Sequence, residues 1–471
     1  MMFVIFVPII YIISAFYNLH RIGIGWDSSV NLAKGEQVYR FLQSLDLTYF
    51  TSSTFTSLYF NELPGFLNGH PTAFSLISFT VGHFFSQMFG FHFYFFHISN
   101  VLMSFLFLCL VGIFVYILTK NILFSLLSQC LFISHPFFYL HSIVNVKDLP
   151  ILVFSFFAIV LIYEKGIFKD VRKNYYLSLV FFVLATFSKF TVIFLVPVYL
   201  YLLVKLKIKF NKLRIFYSFL LVLFLTVFFY PHITFNFTDE IIRIFNVYVY
   251  LPVKSVNSAS FGYFLFLNTP TLLLLIYFLT FIFIIVNKRY STLFLIWTTP
   301  SIFYLVFINH QYDALRQFLF LLVPFSIFSF VFFECLEKYF SKRFINTLSI
   351  IFIVYLLFLF SIPLNEKIFY RNIFSNETVH DGWGLSVPLA LDYINKNYTS
   401  GRIYYSPANF LLEYYKLPKF EIIYQPEYSD IWIASRKTSS YVEETQVRED
   451  GYILDEKFDI SDGMIEIWVK K

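Results

Sequence analysis

The chain has 471 residues, 58% of them hydrophobic and only 14% charged, where a soluble domain carries about 25% charged residues. That excess of apolar surface excludes a single globule in water. The net charge of +6 comes mostly from Lys and Arg in short segments between apolar runs, where membrane topology accounts for them and no nucleic-acid partner is indicated.

The first run, Phe3 to Tyr17, has no basic leader and no small-x-small cleavage site, which predicts a retained first helix. A long outside loop, 20–70, follows. It contains Gly23-Ile-Gly-Ile-Gly-Trp-Asp27, with an acid just beyond the first span, placed to take a proton from an incoming hydroxyl. Asp27-Ser-Ser-Val also reads as a helix start. Residues 71–89 are apolar enough to cross, yet Gly82, His83 and Gln87 interrupt them. A cytoplasmic N-terminus requires an even number of crossings before Lys120, so this run is expected along the interface. An outside N-terminus, with Asp27 in the cytoplasm, is the alternative.

Basic segments recur at Lys120, at 165–173, at 205–214, at Lys288 and Arg289, and at 338–343. The positive-inside rule puts all of them in the cytoplasm. An even number of spans fits between each consecutive pair: Ile122 to Leu140 with Leu149 to Tyr163, two within Tyr175 to Val204, Ile215 to Tyr230 with Thr271 to Val286, and Thr292 to Ile308 with Phe318 to Phe333. Ile345 to Ile362 is the last. The expectation is an all-α polytopic membrane protein of about eleven spans, about thirteen at most.

The polar residues then collect on the opposite face. Asn145-Val-Lys147-Asp148-Leu-Pro150 places adjacent charges at the mouth of two spans, a costly position unless they pair with each other, with lipid phosphate or with substrate. Ser188-Lys189-Phe190 puts a lysine at a hairpin tip, able to neutralise a phosphate or to snorkel. Asn309-His-Gln-Tyr312-Asp313-Ala-Leu-Arg316 enters a span with an arginine suited to a bidentate anion, or to an ion pair with Asp313. Three Asn-x-Thr sequons, at Asn236, Asn376 and Asn397, fall on this face.

Residues 1–362 make the transmembrane module, and 363–471 change character. Arg402-Ile-Tyr-Tyr, Glu421-Ile-Ile-Tyr, Asp430-Ile-Trp-Ile and Met464-Ile-Glu-Ile-Trp-Val read as strands, and Leu385 to Asn397 as an amphipathic helix. This predicts a small extracytoplasmic α/β domain. Cys109, Cys130 and Cys335 lie in apolar runs without metal-site spacing. No repeat, Gly-rich phosphate loop, GxSxG elbow or HExxH pair is present in the sequence.

Taken in order, four elements resemble the polytopic glycosyltransferases of the GT-C class, in particular the family 39-like group of protein O-mannosyltransferases and lipid A aminoarabinose transferases. Gly69-His70-Pro71 resembles their HP element, and Asn145 to Pro150 their N-P-K-D-x-P turn. Tyr312-Asp313-Ala-Leu-Arg316-Gln-Phe-Leu-Phe resembles Y-D-G-x-R-H-F-L-F, and Asp381-Gly-Trp383-Gly384-Leu-Ser386 resembles a D-Y-W-G-x-S stretch after the membrane. The resemblance implies a polyprenyl-phosphate-linked sugar donor, a glycan, lipid or protein acceptor at the outer face, and inversion by direct attack. It implies Asp27 as catalytic base, with His70, Lys147, Asp148, Lys189, Tyr312, Asp313 and Arg316 at the donor phosphate or the active-site wall. The chain departs from the pattern at Ser28, where relatives often carry Glu, and at Gln317, where they carry His. No cofactor is implied, and a divalent metal stays open. A transporter, flippase or glycan polymerase handling polyprenyl lipids is the rival reading, opposed by the missing two-fold repeat, the long first loop and the soluble tail.

Overall fold

Within a bilayer a backbone finds hydrogen-bond partners only in its own helix or a closed barrel, and the apolar runs of this chain are helical. The computed structural model describes residues 2–20, 26–46, 48–51, 54–55, 57–58, 63–64, 73–163, 170–206, 211–231, 233, 237–238, 241–242, 269, 271–286, 290–307, 319–361, 387–406, 412, 415, 417–436, 451–460 and 463–470. The helices are α1 (Phe6–Asn18), α2 (Trp26–Ser44), α3 (Ala73–Phe89), α4 (Ile98–Thr119), α5 (Ile122–Ile133), α6 (Pro136–Val144), α7 (Asp148–Ile162) and α8 (Val171–Thr186). They continue as α9 (Val196–Lys205), α10 (Lys212–Phe229), α11 (Thr271–Val286), α12 (Ser291–Phe307), α13 (Leu319–Ile327), α14 (Phe330–Leu336) and α15 (Lys342–Ser361). The spans read from the sequence fall on these helices, with Ile122 to Leu140 divided between α5 and α6 and Phe318 to Phe333 between α13 and α14. Among the described residues, Phe93–Thr119, Lys212–Phe229 and Lys342–Ser361 are each long and apolar enough to cross a membrane alone. The pair α5 and α6, bent by 71°, makes a further candidate.

Side-chain contacts fix which helix ends lie together. Phe154 and Phe157 of α7 both meet Phe181 of α8, and Ser178 donates to the Ala158 carbonyl at 2.8 Å, so the two form an antiparallel hairpin. Phe107 meets Phe156 and Phe114 meets Tyr163, so α4 runs parallel to α7. The starts of α4 and α7 and the end of α8 therefore share one end of the bundle. At the opposite end Lys120, Lys205 and Arg214 lie over the rings of Tyr116, Tyr163 and Tyr175. Cations against aromatic rings at one end are what the positive-inside rule and the aromatic belt lead one to expect.

The helix α3 occupies residues 73–89 of the ambiguous run. Its first residue, Ala73, donates its backbone N–H to the Phe187 carbonyl beyond the end of α8, at 2.9 Å. At its other end the Phe89 ring meets Phe95, just before the start of α4, at 6.2 Å, and a Cβ on Gly82 in mid-helix would fall 2.2 Å from the Phe96 ring. Both ends of α3 thus lie at one end of the bundle.

The first loop contains α2, which runs parallel to α3. Gly35 abuts Ser75, and four residues later Tyr39 meets Phe79 and His83. A Cβ at Gly35 would sit 2.1 Å from the Ser75 carbonyl oxygen. Ala is a better helix former than Gly by about 1 kcal/mol, yet Gly35→Ala should destabilise the protein by about 1 to 3 kcal/mol, because a backbone atom must move. Thermal unfolding of purified protein in detergent checks this, and an unchanged or raised midpoint would contradict the close approach. Buried Glu36 binds the chain beyond α2, accepting from Ser57 Oγ and from the Leu58 backbone N–H at 2.8 Å, and it pairs with Arg40 at 2.5 Å.

Near the C-terminus α16 (Val387–Asn397) precedes a five-stranded sheet of β1 (Gly401–Ser406), β2 (Phe420–Ile422), β3 (Ile431–Arg436), β4 (Tyr452–Ile460) and β5 (Gly463–Lys470). The spatial order is β2-β1-β3-β5-β4, with β1 parallel to β2 and β3 and the remaining pairs antiparallel. Val387, Ala390, Leu391 and Ile394 of α16 share a buried core with Ile403, Tyr405, Ile431, Ile433 and Ile467 of the sheet. The sequence predicts every strand here except β4. Between the starts of β1 and β3 Arg402 grips Asp430 through Nε and Nη2 at 3.1 and 2.9 Å, and this bonding holds the carboxyl below its usual range. Tyr415 packs on Phe93 at 4.9 Å, which seats this region on the end of the bundle where α4 and α7 begin.

Candidate functional site

The site is built where α6 fails to continue into α7. Four carbonyls at a helix end lack intrahelical partners, and here neighbouring helices supply donors: Ser104 donates to the Ser142 carbonyl at 3.1 Å and Asn100 to the Ile143 carbonyl at 2.9 Å. Tyr11 of α1 adds a bond to Ser142 Oγ at 2.7 Å. These contacts fix the position of the turn 145–148.

Asn145 then starts α7. Its Oδ1 accepts the backbone N–H groups of Lys147 at 2.9 Å and Asp148 at 2.7 Å, the work of a helix cap. Its Nδ2 donates to Asp148 Oδ2 at 2.9 Å and lies 3.3 Å from His141 Nδ1. The other Asp148 oxygen, Oδ1, receives the Lys189 ammonium in an ion pair.

The charges in this cluster are deeply buried: Lys147 is 8% exposed, Asp148 3% and Lys189 5%. Lys147 and Asp148 are neighbours in sequence, but the partner of Asp148 is Lys189, 41 residues on. Nor does Lys189 snorkel, because it turns inward beneath the end of α8. Three charged side chains thus come together out of water at this turn, with Asp148 and Lys189 matched in an ion pair.

Of the remaining expected residues, the backbone of Asp27 is described. Asp27 is the second residue of α2, as the helix-start reading has it; its side chain is outside what the structure describes. Because α2 and α3 are parallel, the eight residues from Gly35 back to Asp27 extend about 12 Å toward the end of α3 that bonds Phe187. His70, Pro71, Tyr312, Asp313, Arg316 and Gln317 lie outside the described residues, as do Asp381 to Ser386 and the sequons at Asn236 and Asn376. Asn397 is exposed at the end of α16, its amide donating to the Tyr393 carbonyl at 2.9 Å. Among the described residues no group of three or more His, Cys, Asp or Glu side chains could hold a metal ion.

Helices of membrane-spanning length, a buried charged turn at one end of the bundle and a small mixed sheet make an integral membrane protein with the GT-C-like architecture expected from the sequence. Two solved structures share this fold over nearly their whole length. ArnT from Cupriavidus metallidurans bound to undecaprenyl phosphate aligns with a TM-score of 0.58 at 9% identity, covering 98% of this chain and 97% of that one. The same protein in the apo state aligns with a TM-score of 0.53 at 10% identity, covering 99% and 97%. No protein-family model matches the chain, and no curated protein matches it in sequence.

Proposed function

We propose that the chain is a membrane glycosyltransferase that moves a sugar from a polyprenyl-phosphate-linked donor to a glycan, lipid or protein acceptor on the non-cytoplasmic face. The observation that carries this reading is the buried cluster of Lys147, Asp148 and Lys189 at one end of a GT-C-like bundle. The fold it shares with ArnT, a protein solved with undecaprenyl phosphate, supports a polyprenyl-linked partner.

In the proposed reaction the acceptor oxygen attacks the anomeric carbon from the side opposite the phosphate, with inversion. The carbon–oxygen bond to phosphate breaks, the polyprenyl phosphate leaves with the electron pair, and Asp27 takes the acceptor proton. Departure of a phosphate already held at the membrane needs positive charge and no nucleotide pocket. Lys147 and Lys189 supply that charge from the turn, with Asp148 holding Lys189 in place, and Arg316 supplies a bidentate grip. His70, Tyr312 and Asp313 complete the wall of the site.

Release of free polyprenyl phosphate from a labelled lipid-linked sugar by the purified protein tests the reading. A transferase frees the carrier, whereas a transporter or flippase returns it with the sugar attached. Arg316→Ala should weaken donor binding by about tenfold or more, as expected for losing a charge-assisted bond, with folding intact. Donor affinity equal to wild type would remove Arg316 from the site.

A further inference from the structure

We propose that Asn145 is a positioning residue: its side-chain amide orients the Asp148 carboxylate so that one oxygen faces Lys189. The proposal rests on the glycosyltransferase reading of this turn.

The two ends of the amide do separable work. Oδ1 caps α7 by accepting the N–H groups of Lys147 and Asp148. A cap needs only an acceptor, which Asp, Ser or Thr supplies equally well. Nδ2 does something an ionised Asp in its place cannot, because it donates to Asp148 Oδ2 at 2.9 Å. The amide cannot be turned round: Nδ2 would then face two N–H donors, and Oδ1 would face a carboxylate. With Oδ2 held by Asn145 and Oδ1 by Lys189, the carboxylate has a separate donor on each oxygen and little freedom to rotate. The amide also lies 3.3 Å from His141 Nδ1, one turn back on α6, so the network reaches into the bundle. Asn145 is 6% exposed and His141 2%, which keeps water from replacing either bond.

The variant Asn145→Asp separates the two roles, since it keeps the cap acceptor and replaces the donor with a second carboxylate. Its thermal midpoint and its transfer rate would be measured on purified full-length protein, at neutral and at mildly acidic pH, beside Asn145→Ala. The expected result is a fold close to wild type with kcat/KM about tenfold to a hundredfold lower at neutral pH, the range for outer partners that orient a reacting group. Activity should recover on acidification, because a proton shared by two carboxyls restores an O–H donor toward Asp148. Asn145→Ala should lose the cap as well and show no such recovery. Asn145→Asp transferring sugar at the wild-type rate at both pH values would overturn the proposal, as would a loss that acid does not reverse. Inactivity of the wild-type protein would instead count against the transferase reading itself.

Discussion

Lys189→Met is expected to destabilise the protein by about 3 to 5 kcal/mol, the cost of leaving one charge of a buried pair uncompensated. Asp148 is 3% exposed and one of its oxygens has Lys189 as its cation. With the lysine gone, the carboxylate must either stay charged in a medium that solvates it poorly or take up a proton. The double variant Asp148→Asn with Lys189→Met strands neither member of this pair and should recover most of the lost stability. Unfolding midpoints of the three proteins in the same detergent give the answer. If the double variant is as unstable as Lys189→Met, the loss belongs to packing around the lysine stem and not to the ion pair.

For activity the largest effect is expected at Asp27. Asp27→Asn keeps the shape of the side chain and its ability to start α2, but removes a proton acceptor. General-base catalysis contributes about a hundredfold to ten-thousandfold, so transfer should fall by that factor while the unfolding midpoint stays near wild type. Turnover of labelled donor by the purified variant measures it. Activity within a few-fold of wild type would transfer the role of base to another group.

The two halves of the site differ in how far the sequence shows them. Spans and topology are legible because an apolar run of the right length has one solution in a bilayer, and lysines and arginines choose its sides. The interfacial placement of 71–89 is a reading from parity alone. Long-range pairing is another matter. Nothing local indicates that Asp148 binds Lys189, 41 residues away, and not its neighbour Lys147. The turn at Asn145 is readable, but the donor that its amide offers appears only when Asp148 folds back toward it. The glycine at position 35 carries no signal of the helix that presses on it. In the terminal sheet, β4 escapes because a register shift between Leu454 and Glu456 breaks the two-residue alternation that marks a strand.

For one active site to form, the start of α2, the turn 145–148 and the segment around Arg316 must open to one compartment. Single cysteines introduced beside Asp27, beside Lys147 and beside Arg316, in a background without Cys109, Cys130 and Cys335, can be reacted with a membrane-impermeant maleimide in sealed vesicles of known orientation. All three positions should label from the non-cytoplasmic side only. Labelling of any one of them from the cytoplasmic side would separate the acid from the charges it must work with, and a single active site built from them could not exist.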